Sequence, residues 1–151
     1  SHVDRTMSAF GLEEKPISKL LIIGGGNIGF NIAKELEENK SDISVTIIEN
    51  NSARSSKIAD NLNHTLVLSG DGLDQDLLDE AGIVSTDMIL ALTDDDETNI
   101  IVSAIARKKK CKSLILINNS DYNNIKDVLL ICFVFLPFIV PPVRLELCLY
   151  V

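Results

Sequence analysis

Short, unbroken apolar runs alternate with amphipathic stretches along this chain. Lys19–Gly24 (KLLIIG), Ser44–Glu49 (SVTIIE), Thr65–Gly70 (TLVLSG), Met88–Thr93 (MILALT) and Ser113–Asn118 (SLILIN) are rich in branched residues. They are too short for helices, and continuous apolar runs of this kind mark strands buried on both faces. After the first run, Ile28, Ile32, Ala33 and Leu36 fall on one side of a helix, and Lys34, Glu35, Glu37 and Glu38 on the other. Ser52 is the expected cap of a second helix, which buries Ile58 and Leu62. Asp74 is the expected cap of a third, which carries Leu77, Leu78 and Ala81 and stops at Gly82. Glu97–Lys110 (ETNIIVSAIARKKK) has acids at its start and cations at its end, as a helix dipole favours. Asp121–Leu130 predicts a further helical turn or two, and Ile131–Leu136 a sixth strand. Strands that alternate with helices predict an α/β fold with a doubly wound parallel sheet.

The flanks differ. Residues 1–16 have turn residues and charges but no sustained period, and read as a tag scar (Ser1–His2) followed by a linker. Residues 17–136 form the expected single domain. Val128–Val143 carries no charge but is short and broken by proline at 137, 141 and 142. A membrane helix needs about 17–25 apolar residues. Residues 137–151 are therefore expected to be an atypical tail, non-native or truncated.

Composition narrows the function. The 151 residues carry a net charge of -8, which repels phosphate backbones and argues against a nucleic-acid partner. Cys111, Cys132 and Cys148 have no metal-ligand spacing and read as reduced thiols of a cytosolic protein without a secretory leader.

The candidate chemistry lies where the first strand meets its helix. Gly24, Gly26 and Gly29 fit G-x-G-x-x-G. The first allows a tight turn, the second a close approach of backbone to a pyrophosphate, and the third close packing of helix on strand. The helix start then offers free N–H groups and a positive dipole end. Glu49 stands twenty residues past Gly29, at the end of the second strand. Its carboxylate can accept from both ribose hydroxyls of an adenosine and would repel a 2′-phosphate, favouring NAD over NADP. The expected sheet is thus Rossmann-like, ordered 3-2-1-4-5-6, with its ligand beside strands one and four. Thr93 would face the glycine loop there, and Gly70–Gly72 (GDG) would lie near an adenine. Asp95, Asp96 and Glu97 read as an acidic helix start. A metal site on these acids lacks other convergent ligands.

These segments together resemble the nucleotide-binding domain of potassium-transport regulators, the RCK or KTN family. The likeness is carried by PISKLLIIGGGNIGFNIAKELEE, GDGLDQDLLDEAGI, DMILALTDDDETNI and NNSDYNNI, and spans about Phe10 to Leu130. It is strongest toward the second of two tandem domains in a peripheral transporter subunit, with FGLEEKP as the connector. The resemblance implies NAD or NADH as ligand, sometimes ATP or ADP. It implies assembly into dimers and a ring on the cytoplasmic face of a membrane-embedded potassium transporter. It also implies that Gly24, Gly25, Gly26, Asn27 and Ile28 cradle the pyrophosphate while Glu49 holds the ribose. Asp71 would sit on the adenine side, Thr93 and Asp94 would line the switch point, and Asn99 would brace the loop. Arg54 would lie near the adenine edge, although a surface cation on a helix is an equal reading. Asn118 stands where some relatives carry arginine.

Two functions fit such a domain: a regulatory nucleotide sensor, or an NAD-dependent oxidoreductase lacking its substrate domain. The sheet takes up nearly the whole chain, and His64 lies away from the cleft, so no proton-transfer residue is expected there. The sensor is the expected function, and the chain is not expected to be an enzyme.

Overall fold

The computed structural model describes residues 16–39 and 42–117. Five strands and four helices alternate along them. They are β1 (Lys19–Ile23), α1 (Asn27–Glu38), β2 (Ser44–Glu49), α2 (Ser52–Asn61), β3 (Leu66–Ser69), α3 (Gln75–Glu80), β4 (Met88–Ala91), α4 (Asp96–Lys108) and β5 (Lys112–Ile115), with a single 3-10 turn, Ile83–Ser85, before β4. The strands are all parallel, in the order β3-β2-β1-β4-β5. This is the expected doubly wound sheet. The sixth strand and the helix expected at Asp121–Leu130 lie outside the described residues, as do Asn118, Cys132 and Cys148.

Strand periodicity explains why the runs are apolar throughout. Leu20 and Ile22 of β1 point to one face of the sheet, where they pack with Val45, Ile47, Met88 and Leu90 under Ala33 and Leu36 of α1 and Ile58 of α2. Leu21 and Ile23 point to the other, with Ile48, Ile89 and Ala91 under Leu78, Val102 and Ala106. Each fully buried Leu or Ile contributes about 1.5–3 kcal/mol relative to exposure. A central strand covered on both sides therefore has no position to give to a polar residue.

Several boundaries depart from the sequence expectation. The cap of α2 is Asn51, whose Oδ1 accepts from the Arg54 N–H at 2.9 Å, and Ser52 is already helical. Asparagine caps as well as serine does, and the pattern alone does not separate adjacent candidates. The helix expected over Glu97–Lys110 begins at Asp96 behind its cap Asp95 and ends at Lys108, and Lys110 turns left-handed at φ 58°. β4 stops at Ala91 rather than Thr93, because the Thr93 backbone is taken up by a side chain of α4, described below. Asp74 caps α3, and Gly82 at φ 76° follows it, as expected.

The far end of α1 is tied to the sheet by a long-range contact. Glu37 accepts from the N–H groups of Asn63 and His64 and from the Thr65 hydroxyl, 2.7–3.0 Å away. Burial raises the pKa of this carboxyl, but those hydrogen bonds outweigh it and leave it below its ordinary value.

Candidate functional site

β1 and β4 are neighbours, and the loops that leave their C-terminal ends meet. Gly24 turns out of β1 at φ 104°, and a Cβ there would sit 2.8 Å from the Leu92 carbonyl oxygen and 2.9 Å from the Thr93 nitrogen. A Cβ on Gly29 would fall 2.2 Å from the Gly24 carbonyl oxygen, so the helix can lie this close to the turn only with glycine. Gly25 is also enclosed, against Ile58 and Glu49. Gly26 is different: a Cβ there would meet nothing within 4 Å. These are the three jobs of the fingerprint glycines, namely turn, open approach and close packing.

Gly26 is also the cap of α1, and it supplies no side chain. The first turn of α1 contains no acid, and no side chain caps its N–H groups. The amides of Asn27, Ile28 and Gly29 are the orphan donors of that turn. Asn27 is exposed and Ile28 half-buried against the core.

Glu49 closes the other side of the loop. It is only 2% exposed, so the solvated carboxylate that a strand end suggests is not what folds. Its Oε2 accepts from the Gly25 N–H at 2.8 Å, and its Oε1 from the Asn51 N–H at 2.8 Å. The Arg54 guanidinium approaches Oε2 at 3.5 Å. A carboxylate has about four acceptor positions, and three are in use here. Asn51, which caps α2 and also donates to Glu49, was not singled out from the sequence. The signal available was a second cap former beside Ser52.

The remaining candidates occupy the rim. Asp71 is exposed, and its Oδ1 accepts from the Leu73 N–H at 2.9 Å within its own turn. The adjacent Gly72 packs on Ile23, where a Cβ would lie 2.3 Å from its Cγ2, and so the loop after β3 reaches the end of β1. Thr93 abuts Gly24 through its backbone, but its hydroxyl turns into its own loop, 2.8 Å from Asn99 Oδ1 and 3.0 Å from the Asp95 carbonyl oxygen. Asp94 is exposed beside it. Asn99 is fully buried. Its Oδ1 accepts from the Thr93 N–H, and its Nδ2 donates to the carbonyls of Thr93 and Leu116 at 3.0 and 2.9 Å. It braces the loop, as expected. Asp95 caps α4, and the hydroxyl and N–H of Thr98 hold its carboxyl below the ordinary range. Among the described residues, no group of three or more His, Cys, Asp or Glu is placed to hold a metal ion. His64 is exposed at the opposite end of the sheet, before β3.

A parallel sheet whose strand order reverses between β1 and β4, a glycine turn with one open face, an uncapped helix start and an acid at the end of β2 define a Rossmann-type nucleotide-binding domain. The profile of the TrkA-N domain family matches residues 20–134, and the chain belongs to that family. Among curated relatives, it is 41% identical over 123 residues to the Trk system potassium uptake protein TrkA of Vibrio alginolyticus, covering 81% of this chain and 26% of the relative. It is 39% identical over 121 residues to the protein of that name from Azorhizobium caulinodans, covering 80% of this chain and 26% of the relative. The chain thus spans about a quarter of the length of these relatives. Among solved structures, the TrkA-N domain of the inner membrane protein ybaL from Escherichia coli superposes with a TM-score of 0.61 at 15% identity, covering 76% of this chain and 84% of that one. A short-chain dehydrogenase/reductase from Veillonella parvula, solved with NADP, superposes at 0.55 with 12% identity, covering 72% and 51%. At such identities these two likenesses concern the fold alone.

Proposed function

We propose that this domain senses an adenine nucleotide, NAD or NADH with ATP or ADP as alternates, and serves as a regulatory part of a potassium-uptake system. One observation carries the ligand class. Of the four α-helices described, only α1 lacks a side-chain cap, and it starts directly behind Gly26, which among the described glycines is the one with open space over it. The open space and the free amides leave room for an anion, which a side chain added at Gly26 would crowd or displace. Gly24, Gly25 and Gly26 with the amides of Asn27 and Ile28 would hold the pyrophosphate. Glu49 would take a ribose hydroxyl on its remaining acceptor position, Asp71 would flank the adenine, and Thr93 and Asp94 would border the switch point. A nicotinamide cofactor supplies hydride chemistry when bound to a dehydrogenase. The relatives named above are potassium uptake proteins, which supports a sensor rather than an enzyme.

The potassium assignment rests on the names of the relatives. The membrane-embedded subunit of such an uptake system would be the partner, and the cytoplasmic side of the membrane the location. Among the described residues, no helix is long and apolar enough to cross a membrane. A second copy is the other partner. Glu97, Ile101, Ala104 and Lys108 are exposed on one side of α4, with Ile101 at 47%. An antiparallel two-fold pairing sets Glu97 against Lys108 of the other copy and Ile101 against Ala104, a self-complementary face. Because the Thr93–Asn99 loop runs straight into α4, a ligand with different affinity for two loop conformations would bias this interface.

Calorimetry with NAD, NADH, NADP, ATP and ADP tests the ligand. The expected outcome is binding of NAD(H), about tenfold weaker in Glu49→Gln, the loss of one charge-assisted hydrogen bond. No heat with any of the five would refute the reading. Light scattering tests the pairing: Ile101→Glu should convert a dimer to monomer, and a parent chain already monomeric at micromolar concentration would exclude it.

A further inference from the structure

We infer that Arg54 is a specificity-determining residue that competes with the ribose for Glu49 and selects at the 2′ position. This rests on the nucleotide reading above and goes beyond it. The geometry is a latch. Arg54 lies in the first turn of α2, where its own N–H is held by the Asn51 side chain at 2.9 Å. Helical side chains lean toward the N-terminus, and that direction carries the guanidinium back over the end of β2, 3.5 Å from Glu49 Oε2. With Arg54 in this position Glu49 is 2% exposed, and no hydroxyl reaches its open acceptor position until the guanidinium swings aside.

The two partners are unequal. Glu49 is fixed, because the amides of Gly25 and Asn51 grip one oxygen each. Arg54 has a side chain 53% exposed, and its contact to Glu49 is long. It is the partner that moves, and half-exposed ion pairs of this kind are weak. Its Cα is anchored by the helix, so a displaced guanidinium stays near the ribose edge. There it meets whatever the 2′ carbon carries. A hydroxyl gains little from it and binds Glu49 instead. A phosphate is attracted by Arg54 and repelled by Glu49. In the parent chain the fixed acid prevails, and NAD is preferred. Without the acid's charge, Arg54 decides, and the preference reverses.

The test is the ratio of NADPH to NADH affinity, measured by fluorescence titration in five proteins whose folding is checked by thermal melting. The parent should bind NADH more tightly than NADPH. Arg54→Ala should lower the relative affinity for NADPH about tenfold, while NADH binds as before or up to threefold more tightly. Arg54→Lys should retain most of the parent ratio. Glu49→Gln should bind NADPH at least as tightly as NADH, and Glu49→Gln with Arg54→Ala should lose that gain. Because Arg54 is exposed, its single substitutions keep the fold and carry the test even if Glu49→Gln is unstable. Arg54→Ala changing both affinities by the same factor, or neither, overturns the selection role. A parent chain that binds neither dinucleotide overturns the nucleotide reading and the latch with it.

Discussion

α1 and α4 both begin at the C-terminal edge of the sheet, on either side of the point where β1 and β4 part, yet their first turns are built in opposite ways. α4 is furnished fully: Asp95 caps it, Asp96 and Glu97 fill its first turn, and Asn99 reaches back to hold the preceding loop. α1 has a glycine cap, no acid and no side chain on its first amides. Acids at a helix start satisfy orphan donors and complement the dipole. Leaving them out forgoes that stabilisation, and the proposed function supplies a reason: the donors around Gly26 would be kept for an external anion. On that proposal, the difference separates a helix start that is a joint of the fold from one that is a binding surface.

The strongest way to break this contrast is Gly29→Ala. The added methyl would lie 2.2 Å from a backbone oxygen of the turn. Overpacking against backbone that cannot yield should cost about 3 kcal/mol, read as a shift in urea midpoint. Gly26→Ala, three residues earlier, should cost less than about 1 kcal/mol while nucleotide binding is lost. If both glycines behave alike in stability, the division between packing and approach fails.

Asn99→Ala tests the other helix start. It strips partners from the Thr93 N–H and carbonyl and from the Leu116 carbonyl, all beside a fully buried site. A loss of about 2–3 kcal/mol is expected, with faster amide exchange at Thr93. A neutral result would mean that the loop is held by its own turn alone.

Gly26→Asp makes the start of α1 resemble that of α4. The cap should raise stability by about 0.5 kcal/mol, and the new charge should abolish anion binding. Destabilisation would show that the open face over Gly26 is occupied by the protein itself. The smallest effect concerns the opposite end of α1. The Glu37 carboxyl has its pKa lowered in the folded state, so its contribution is complete at neutral pH and fades as pH falls through the ordinary carboxylate range toward its folded value. The melting-temperature gap between the parent and Glu37→Gln should therefore be widest near neutral pH and narrow progressively as pH falls below the ordinary carboxylate value of 4.5. A gap independent of pH would assign the loss to shape rather than charge.

What the amino-acid sequence determined by itself was local. Unbroken branched runs specify strands buried twice over, the period of α1 specifies its inner face, and the spacing of Gly24, Gly26 and Gly29 specifies a turn, an approach and a contact, because each depends on residues within a few positions of one another. Glu49 could be placed at a strand end by counting. Its burial could not, because that comes from amides of two different loops, at Gly25 and Asn51, brought together only when β1 and β2 pair in register. The choice of Asn51 over Ser52 as cap, the fold of Arg54 over the acid, and the bridge from Asn99 to Leu116 across seventeen positions belong to the tertiary structure for the same reason. A hydrogen-bonding side chain has several local uses of nearly equal energy, and the neighbour that the sheet order sets beside it decides among them.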